Sequence, residues 1–168
     1  MGRNGLNRVI VHWSAGTGKA NATDKSHYHF LVQNDGSVIK GNYIPEDNAN
    51  CNDGRYAAHT GGGNTGSIGI SLCGMAGYQQ GKPQSTKYPI TAIQCEAAWK
   101  KIAELCKAYN IPVTPETVMT HYEFGIKHPK TSSAGKIDIV YLPSQPKLKK
   151  EEIGNFIRNK VKWYYNNI

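Results

Sequence analysis

The chain has 168 residues, a formal net charge of +8 and 18 glycines. That length suits one domain able to bury most of its apolar surface, and it argues against a disordered or fibrous chain. No stretch reaches membrane-span length, and no apolar leader precedes the first strand, so the sequence reads as made in the cytoplasm without a cleaved address.

The basic residues crowd toward the end. The first 84 residues hold 7 Lys+Arg against 5 Asp+Glu, the last 84 hold 13 against 7, and residues 147–168 hold 6 against 2. Such a skew points to an anionic partner without naming it. Nucleic acid is not expected, because no alternating basic and aromatic platform accompanies the charge. The four cysteines include no C-x-x-C pair. Cys95 and Cys106 lie about 16 Å apart along one predicted helix, so all four read as reduced.

Arg8-Val9-Ile10-Val11-His12-Trp13-Ser14 opens the fold with a β-branched run that reads as a strand buried on both faces and ending in a histidine. Residues 26–33 and 37–40, joined by Asn34-Asp35-Gly36, form a hairpin. Alternation sets Tyr28, Phe30 and Val32 on one face and His27, His29 and Leu31 on the other. His27 and His29 read as structural. Residues 41–66 are a long loop rich in Asn, Asp and Gly, the kind that is usually functional. Its Gly61-Gly62-Gly63 is either a hinge or a place where backbone N–H groups approach a ligand. Ser67 to Gly74 alternates Ile68, Ile70 and Leu72 with the small Gly69, Ser71 and Cys73, a strand with one packed and one low face.

Thr91 and Gln94 form a capping box for a helix to about Tyr109. Val118-Met119-Thr120-His121 repeats the opening device, an apolar run into a histidine. Residues 124–136 read as loop and 137–143 as an extended piece, with Lys136 and Asp138 on one side of it. A basic amphipathic helix over about 151–165, with Ile153, Phe156, Ile157, Val161 and Tyr164 inward, closes the chain. The expected architecture is α/β: a single mixed central sheet flanked by helices, in one domain spanning residues 1–168.

The residues also carry a resemblance. Val9-Ile-Val-His12-Trp-Ser14, Tyr28-His-Phe-Leu-Val-Gln-Asn-Asp-Gly36, Ala58-His59-Thr through Ser71, Thr120-His121-Tyr-Glu123 and Lys136-Ile-Asp138 run in the order found in the zinc-dependent N-acetylmuramoyl-L-alanine amidases of phage endolysins and peptidoglycan recognition proteins. The chain resembles that family over about residues 8–140. The resemblance implies a Zn2+ site at one end of the sheet, held by His12, His121 and Asp138, with His128 as the alternative third ligand. It implies Tyr28 and Lys136 as catalytic groups, His59, Thr60 and Asn64 lining the substrate groove, and Glu123 as a partner of a ligand histidine. Where some branches carry a glutamate this chain has Ser71, which leaves proton transfer to Tyr28, Lys136 or the metal's water. The implied activity is hydrolysis of the amide between N-acetylmuramic acid and L-alanine in peptidoglycan, by a monomeric endolysin-like enzyme acting on the cell wall. A non-catalytic peptidoglycan-recognition module of the same fold is the alternative. The terminal helix would then meet the anionic envelope.

Overall fold

β1 (Arg8–Trp13) has neighbours on both sides, parallel β4 (Ser67–Leu72) and parallel β5 (Val118–Thr120), in a computed structural model that describes residues 2–168. Val9, Ile10 and Val11 have no exposed surface, as a β-branched run between two strands requires. On the far side of β4 lies parallel β2 (Phe30–Val32), and antiparallel β3 (Val38–Lys40) closes that edge. The sheet order among the described residues is β3-β2-β4-β1-β5. The hairpin turns where the sequence places it: Gly36 takes φ 88°, and Asp35 Oδ1 accepts from the Ser37 amide.

The period of two divides the sheet into an apolar face and a polar one. Val9, Val11 and Trp13 share the first face with Ile68, Ile70, Leu72, Phe30 and Val32. Two helices cover it, α2 (Ala92–Tyr109) through Trp99 and Ile102, and α4 (Lys150–Asn167) through Ile153, Ile157 and Val161. Thr91 and Gln94 cap α2 reciprocally, and Gln94 also donates to the carbonyls of Val32 and Cys73. The other face carries Ile10, His12, Gly69 and Ser71. It meets a smaller apolar group, Ile10, Met119 and Phe124, and the long loop. Chemistry therefore gathers on the face that the two long helices leave open.

Five expectations change. Residues 26–29 are not part of the hairpin strand: α1 (Ala22–His27) runs into them, Tyr28 caps it, and β2 begins only at Phe30. Residues 124–136 are not all loop: α3 (His121–Lys127) begins directly at the end of β5, with Thr120 and Glu123 as its capping box. Residues 137–143 are not extended. Val140 N donates to Ile137 O, and Ile139 takes a left-handed φ of 65° while fully buried. Holding a β-branched residue there costs about 1–2 kcal/mol, and the bend turns Asp138 away from the core that receives Ile139. Gly61, Gly62 and Gly63 are a tightly packed segment and not an open hinge. A Cβ at these positions would overlap Ser132, Thr131 and the Phe124 ring, so the glycines let the long loop press against residues 131–133. Glu123 meets no histidine and pairs with Arg158 of α4. Among the described residues no helix is long and apolar enough to cross a membrane.

The Arg158–Glu123 pair ties α4 to the element that begins at His121. Arg158 is 5 % exposed and donates to both Glu123 oxygens at 3.0 Å and to Val118 O at 2.9 Å. Gly154 passes so near the Glu123 carboxylate that any Cβ would overlap it. Removing the guanidinium strands a mostly buried carboxylate and a carbonyl, at a cost of about 3 kcal/mol. Arg158→Ala should lower urea-unfolding stability by about that amount. A loss below about 0.5 kcal/mol would show the pair to be no more than a surface contact.

Candidate active site

Three elements deliver three ligand-type atoms to one point. β1 ends on the polar face with His12, which has no exposed surface. Thr120 caps α3 and fixes His121 as its first residue. The left-handed turn at Ile139 delivers Asp138. His12 Nδ1 lies 2.9 Å from Asp138 Oδ2 and 3.1 Å from His121 Nδ1, and His121 Nδ1 lies 3.2 Å from Asp138 Oδ2. Among the described residues these three form the group of His, Cys, Asp or Glu able to hold a metal ion.

The donor set fits a cation. When both imidazoles turn their lone pairs inward, two ring nitrogens and a carboxylate oxygen converge at about 3 Å, an arrangement that is repulsive unless positive charge lies between them. Ligands about 2.0–2.1 Å from a tetrahedral zinc stand about 3.3 Å from one another, close to the separations here. Burial pushes the His12 imidazole down to about 4, against the opposing pull of Asp138. Burial disfavours charge on Asp138, but its close contacts with His12 and His121 outweigh it and hold its carboxyl well below the usual range. A neutral imidazole beside an ionised carboxylate is the protonation state that metal binding needs.

Behind the cluster the remaining ring nitrogens also have partners. His121 Nε2 is 3.0 Å from Ser133 Oγ, and His12 Nε2 is 3.1 Å from His59 Nδ1. His59 is buried, and burial with the neighbouring His12 and His29 holds its imidazole well below the ordinary value. Its ring fits because β4 has glycine at position 69, where any Cβ would strike it. The low face read along β4 thus accommodates a loop histidine. His29, read as structural, accepts from Gly69 N and meets Asn48 Oδ1 at 2.9 Å. Buried Asn48 also bonds Ala57 and Asn64, pinning both ends of the loop segment that carries His59.

In front of the cluster is a cleft of about 370 Å³, lined among others by Trp13, Tyr28, Tyr78, Lys136 and Asp138. The Tyr28 ring centroid is 5.1 Å from that of His12. Burial and the charges of Asp138 and Asp24 raise its phenol far above the ordinary value, so it stays protonated. Lys136 is exposed at the rim. Tyr78 stacks on Tyr141 at 5.7 Å and meets Trp13 edge-on at 5.3 Å, an aromatic wall built from residues distant in the chain with no local pattern to join them. A larger cavity of about 500 Å³ lies between residues 110–113 and the end of α4, but it holds no metal-ligating cluster. Chemistry, and not size, selects the cleft.

His12, His121 and Asp138 are thus brought together, with Tyr28 and Lys136 on the same cleft. His59 reaches the cleft only at its floor. Thr60 is buried, and Asn64 accepts from the amides of His59 and Thr60, so both shape the loop beneath the cleft. His128 is exposed at the end of α3, its ring 4.2 Å from that of Phe124, and is not part of the cluster. Ser133 went unnoticed in a polar stretch of Lys, Thr and Ser. The Thr120-x-x-Glu123 capping signal was readable and marks where His121 sits.

A family profile described as N-acetylmuramoyl-L-alanine amidase matches residues 2–138, most of the chain. No curated protein sequence gives a significant match. Among solved structures, the N-acetylmuramoyl-L-alanine amidase LysC from Clostridium intestinale URNW superposes with a TM-score of 0.52 at 12% identity, covering 96% of this chain and 90% of that one. The PlyG catalytic domain gives 0.51 at 24% identity, over 95% and 84%. The Ph2119 endolysin from a Thermus scotoductus bacteriophage gives 0.51 at 16% identity, over 93% and 84%. At these identities the likeness establishes the fold.

Acid should unfold this protein through its buried histidines. His12 and His29 are each held at about 4, against 6.5 when unfolded. Between those values the unfolded chain binds protons that the folded chain refuses, so stability falls as pH drops from 6.5 toward 4. Asp138 adds to the loss only below that window, because a depressed carboxyl loses its contribution as pH falls from its unfolded value of 3.8 toward its lower folded one. The melting temperature of metal-free protein should decline steadily from pH 7 to pH 4. A flat or rising profile would contradict buried, neutral imidazoles.

Proposed function

The chain belongs to the N-acetylmuramoyl-L-alanine amidase family, and from that membership we propose that it is a zinc-dependent peptidoglycan hydrolase of the endolysin kind. It cleaves the amide between N-acetylmuramic acid and L-alanine, with the metal held by His12, His121 and Asp138. The observation that carries the reading is the meeting of three metal-ligating atoms, from β1, α3 and the turn at Ile139, within 3.2 Å of one another. All three residues fall within the matched span of 2–138.

Two imidazoles, one carboxylate and an open fourth position make a donor set that suits catalytic zinc. Zinc bound there supplies an activated water and polarises the scissile carbonyl. The remaining roles belong to the chain. One anionic ligand leaves the centre with a net charge of +1, which lessens the cost of burying it and keeps it electrophilic. The Lys136 ammonium, at the rim of the cleft, stabilises the negative charge that grows on the carbonyl oxygen. The raised phenol of Tyr28 acts as a hydrogen-bond donor and not as a base, so it serves the reacting oxygen or the departing nitrogen. Ser71, buried beside His12 in the β1–β4 register, has no carboxylate with which to substitute for either. Trp13 and Tyr78 give the cleft an apolar wall.

A recognition module without catalysis is less well supported, since binding alone needs no convergent set of metal-ligating atoms with an ammonium and a phenol beside it. The envelope contact expected of α4 loses one of its charges, because Lys160 pairs with Glu96 at 3.0 Å. The setting we favour is a phage or prophage lysin acting on the cell wall.

Digestion of purified peptidoglycan tests the activity and the metal together. New lactyl carboxylates on muramic acid and new amino-terminal L-alanine should appear in equal amounts, cease after exhaustive chelation and return with added zinc. New reducing ends in their place, or undiminished cleavage in chelated protein, would overturn the reading.

A further inference from the structure

A histidine binds zinc through one ring nitrogen only if the proton sits on the other, and the cluster needs this of two rings at once. We propose that His59 and Ser133 are positioning residues that hold both ligand histidines with the proton on Nε2, leaving each Nδ1 lone pair for the metal. The inference rests on the zinc reading above and moves His59 from the substrate groove to the support of the metal centre.

Donor and acceptor logic fixes the assignment for His121. Ser133 Oγ lies 2.7 Å from the carbonyl oxygen of Gly61 and 3.0 Å from His121 Nε2. A carbonyl only accepts, so the single hydroxyl hydrogen of Ser133 goes to Gly61; otherwise two oxygens would face each other at 2.7 Å with no hydrogen between them. The hydroxyl oxygen must then accept from His121, which places the proton on Nε2. Ser133 is fully buried, so no water can take over the bond without rearrangement.

The same logic runs through two rings for His12. His59 Nε2 lies 3.2 Å from the carbonyl oxygen of Ser67, so that nitrogen carries the hydrogen. His59 Nδ1 is therefore the acceptor of a neutral ring, and it faces His12 Nε2 at 3.1 Å. Thr60 Oγ1 stands 2.7 Å from His59 Nδ1 and 3.3 Å from His12 Nε2, with one hydrogen to give. If His12 carried no hydrogen on Nε2, two imidazole lone pairs would face each other and Thr60 could satisfy only one. With the hydrogen on His12 Nε2 every atom in the group is paired.

Both chains of bonds pass through one loop. Gly61 takes the hydroxyl of Ser133, and His59 stands two residues before it. Gly61 to Gly63 fit against residues 131–133 and Phe124 because they lack Cβ atoms, and Gly69 leaves the space for the His59 ring. The glycine run therefore serves the metal: it lets one loop set His59 against His12 and the Gly61 carbonyl against Ser133, which holds His121.

Zinc affinity, by competition with a chromogenic chelator, and ring ¹⁵N spectra of the zinc-loaded protein test this. The outer hydrogen bonds of metal-bound histidines are worth about 10–100-fold in metal affinity. Ser133→Ala and His59→Ala should each weaken zinc binding by about that factor. Ser133→Thr, which keeps the hydroxyl, and His59→Gln, which can donate to Ser67 and accept from His12, should recover most of it. In the wild type both ligands should show slowly exchanging Nε2 protons. Ser133→Ala should release that of His121 alone, and His59→Ala that of His12 alone, a selectivity that general loosening would not produce. If the alanine variants do not fold, the wild-type spectra and the Thr and Gln variants still decide. A wild type that binds zinc tightly, with affinities unchanged in the variants or a proton found on either Nδ1, overturns this inference and leaves the amidase reading standing. A wild type that binds no zinc overturns the amidase reading and this inference with it.

Discussion

Two imidazole lone pairs and a carboxylate oxygen held about 3 Å apart repel one another, and a cation between them would turn that repulsion into the organising attraction of the site. The geometry of the protein follows from having to hold His12, His121 and Asp138 so close before any ion arrives. Each comes from an element with little freedom at that position. His12 is the next-to-last residue of a strand that lies between two others, His121 is the first residue of a capped helix, and Asp138 precedes a buried residue in a left-handed turn. A loop that supplied these atoms flexibly would lose more entropy on binding a metal than the rigid scaffold does.

Strand alternation decides which face receives the chemistry. Val9, Val11 and Trp13 point toward α2 and α4 and anchor the strand, while Ile10 and His12 point the other way. One face therefore supplies stability and the opposite face supplies function, from successive residues of the same six-residue strand. The polar face is filled by small side chains on β4 and by a loop pinned at Asn48, which brings His59 and the Gly61 carbonyl behind the ligands. Arg158 closes the arrangement from the far side, where it binds Val118 of β5 and Glu123 of α3 on either side of His121.

The sheet, its hairpin, the capped helix α2 and the basic terminal helix were legible because each rests on local signals: β-branched runs, a turn triplet, a capping box and an apolar stripe. The candidate ligands were legible only through the family pattern, since positions 12, 121 and 138 share no local spacing. What stayed hidden depends on contacts distant in sequence. Ser133 is one serine among several polar residues until the fold sets it against His121. The Gly61–Gly63 run reads as a hinge until Phe124 and residues 131–133 pack against it. Residues 137–143 alternate well enough to suggest a strand, and tertiary packing overrides that by burying Ile139 at a positive φ. Glu123 reads as a histidine's partner only by resemblance, and its pairing with Arg158, 35 positions away, leaves no mark in the sequence.

The central claim is that Asp138, with the two histidines, closes a zinc site. The direct measurement is metal content after dialysis against a weak chelator, compared between Asp138→Ala and His128→Ala. The account predicts that wild type and His128→Ala retain one zinc per chain while Asp138→Ala loses it, with affinity lower by at least about two orders of magnitude, beyond the 10–100-fold that an outer partner is worth. Zinc retained by Asp138→Ala and lost by His128→Ala would contradict it.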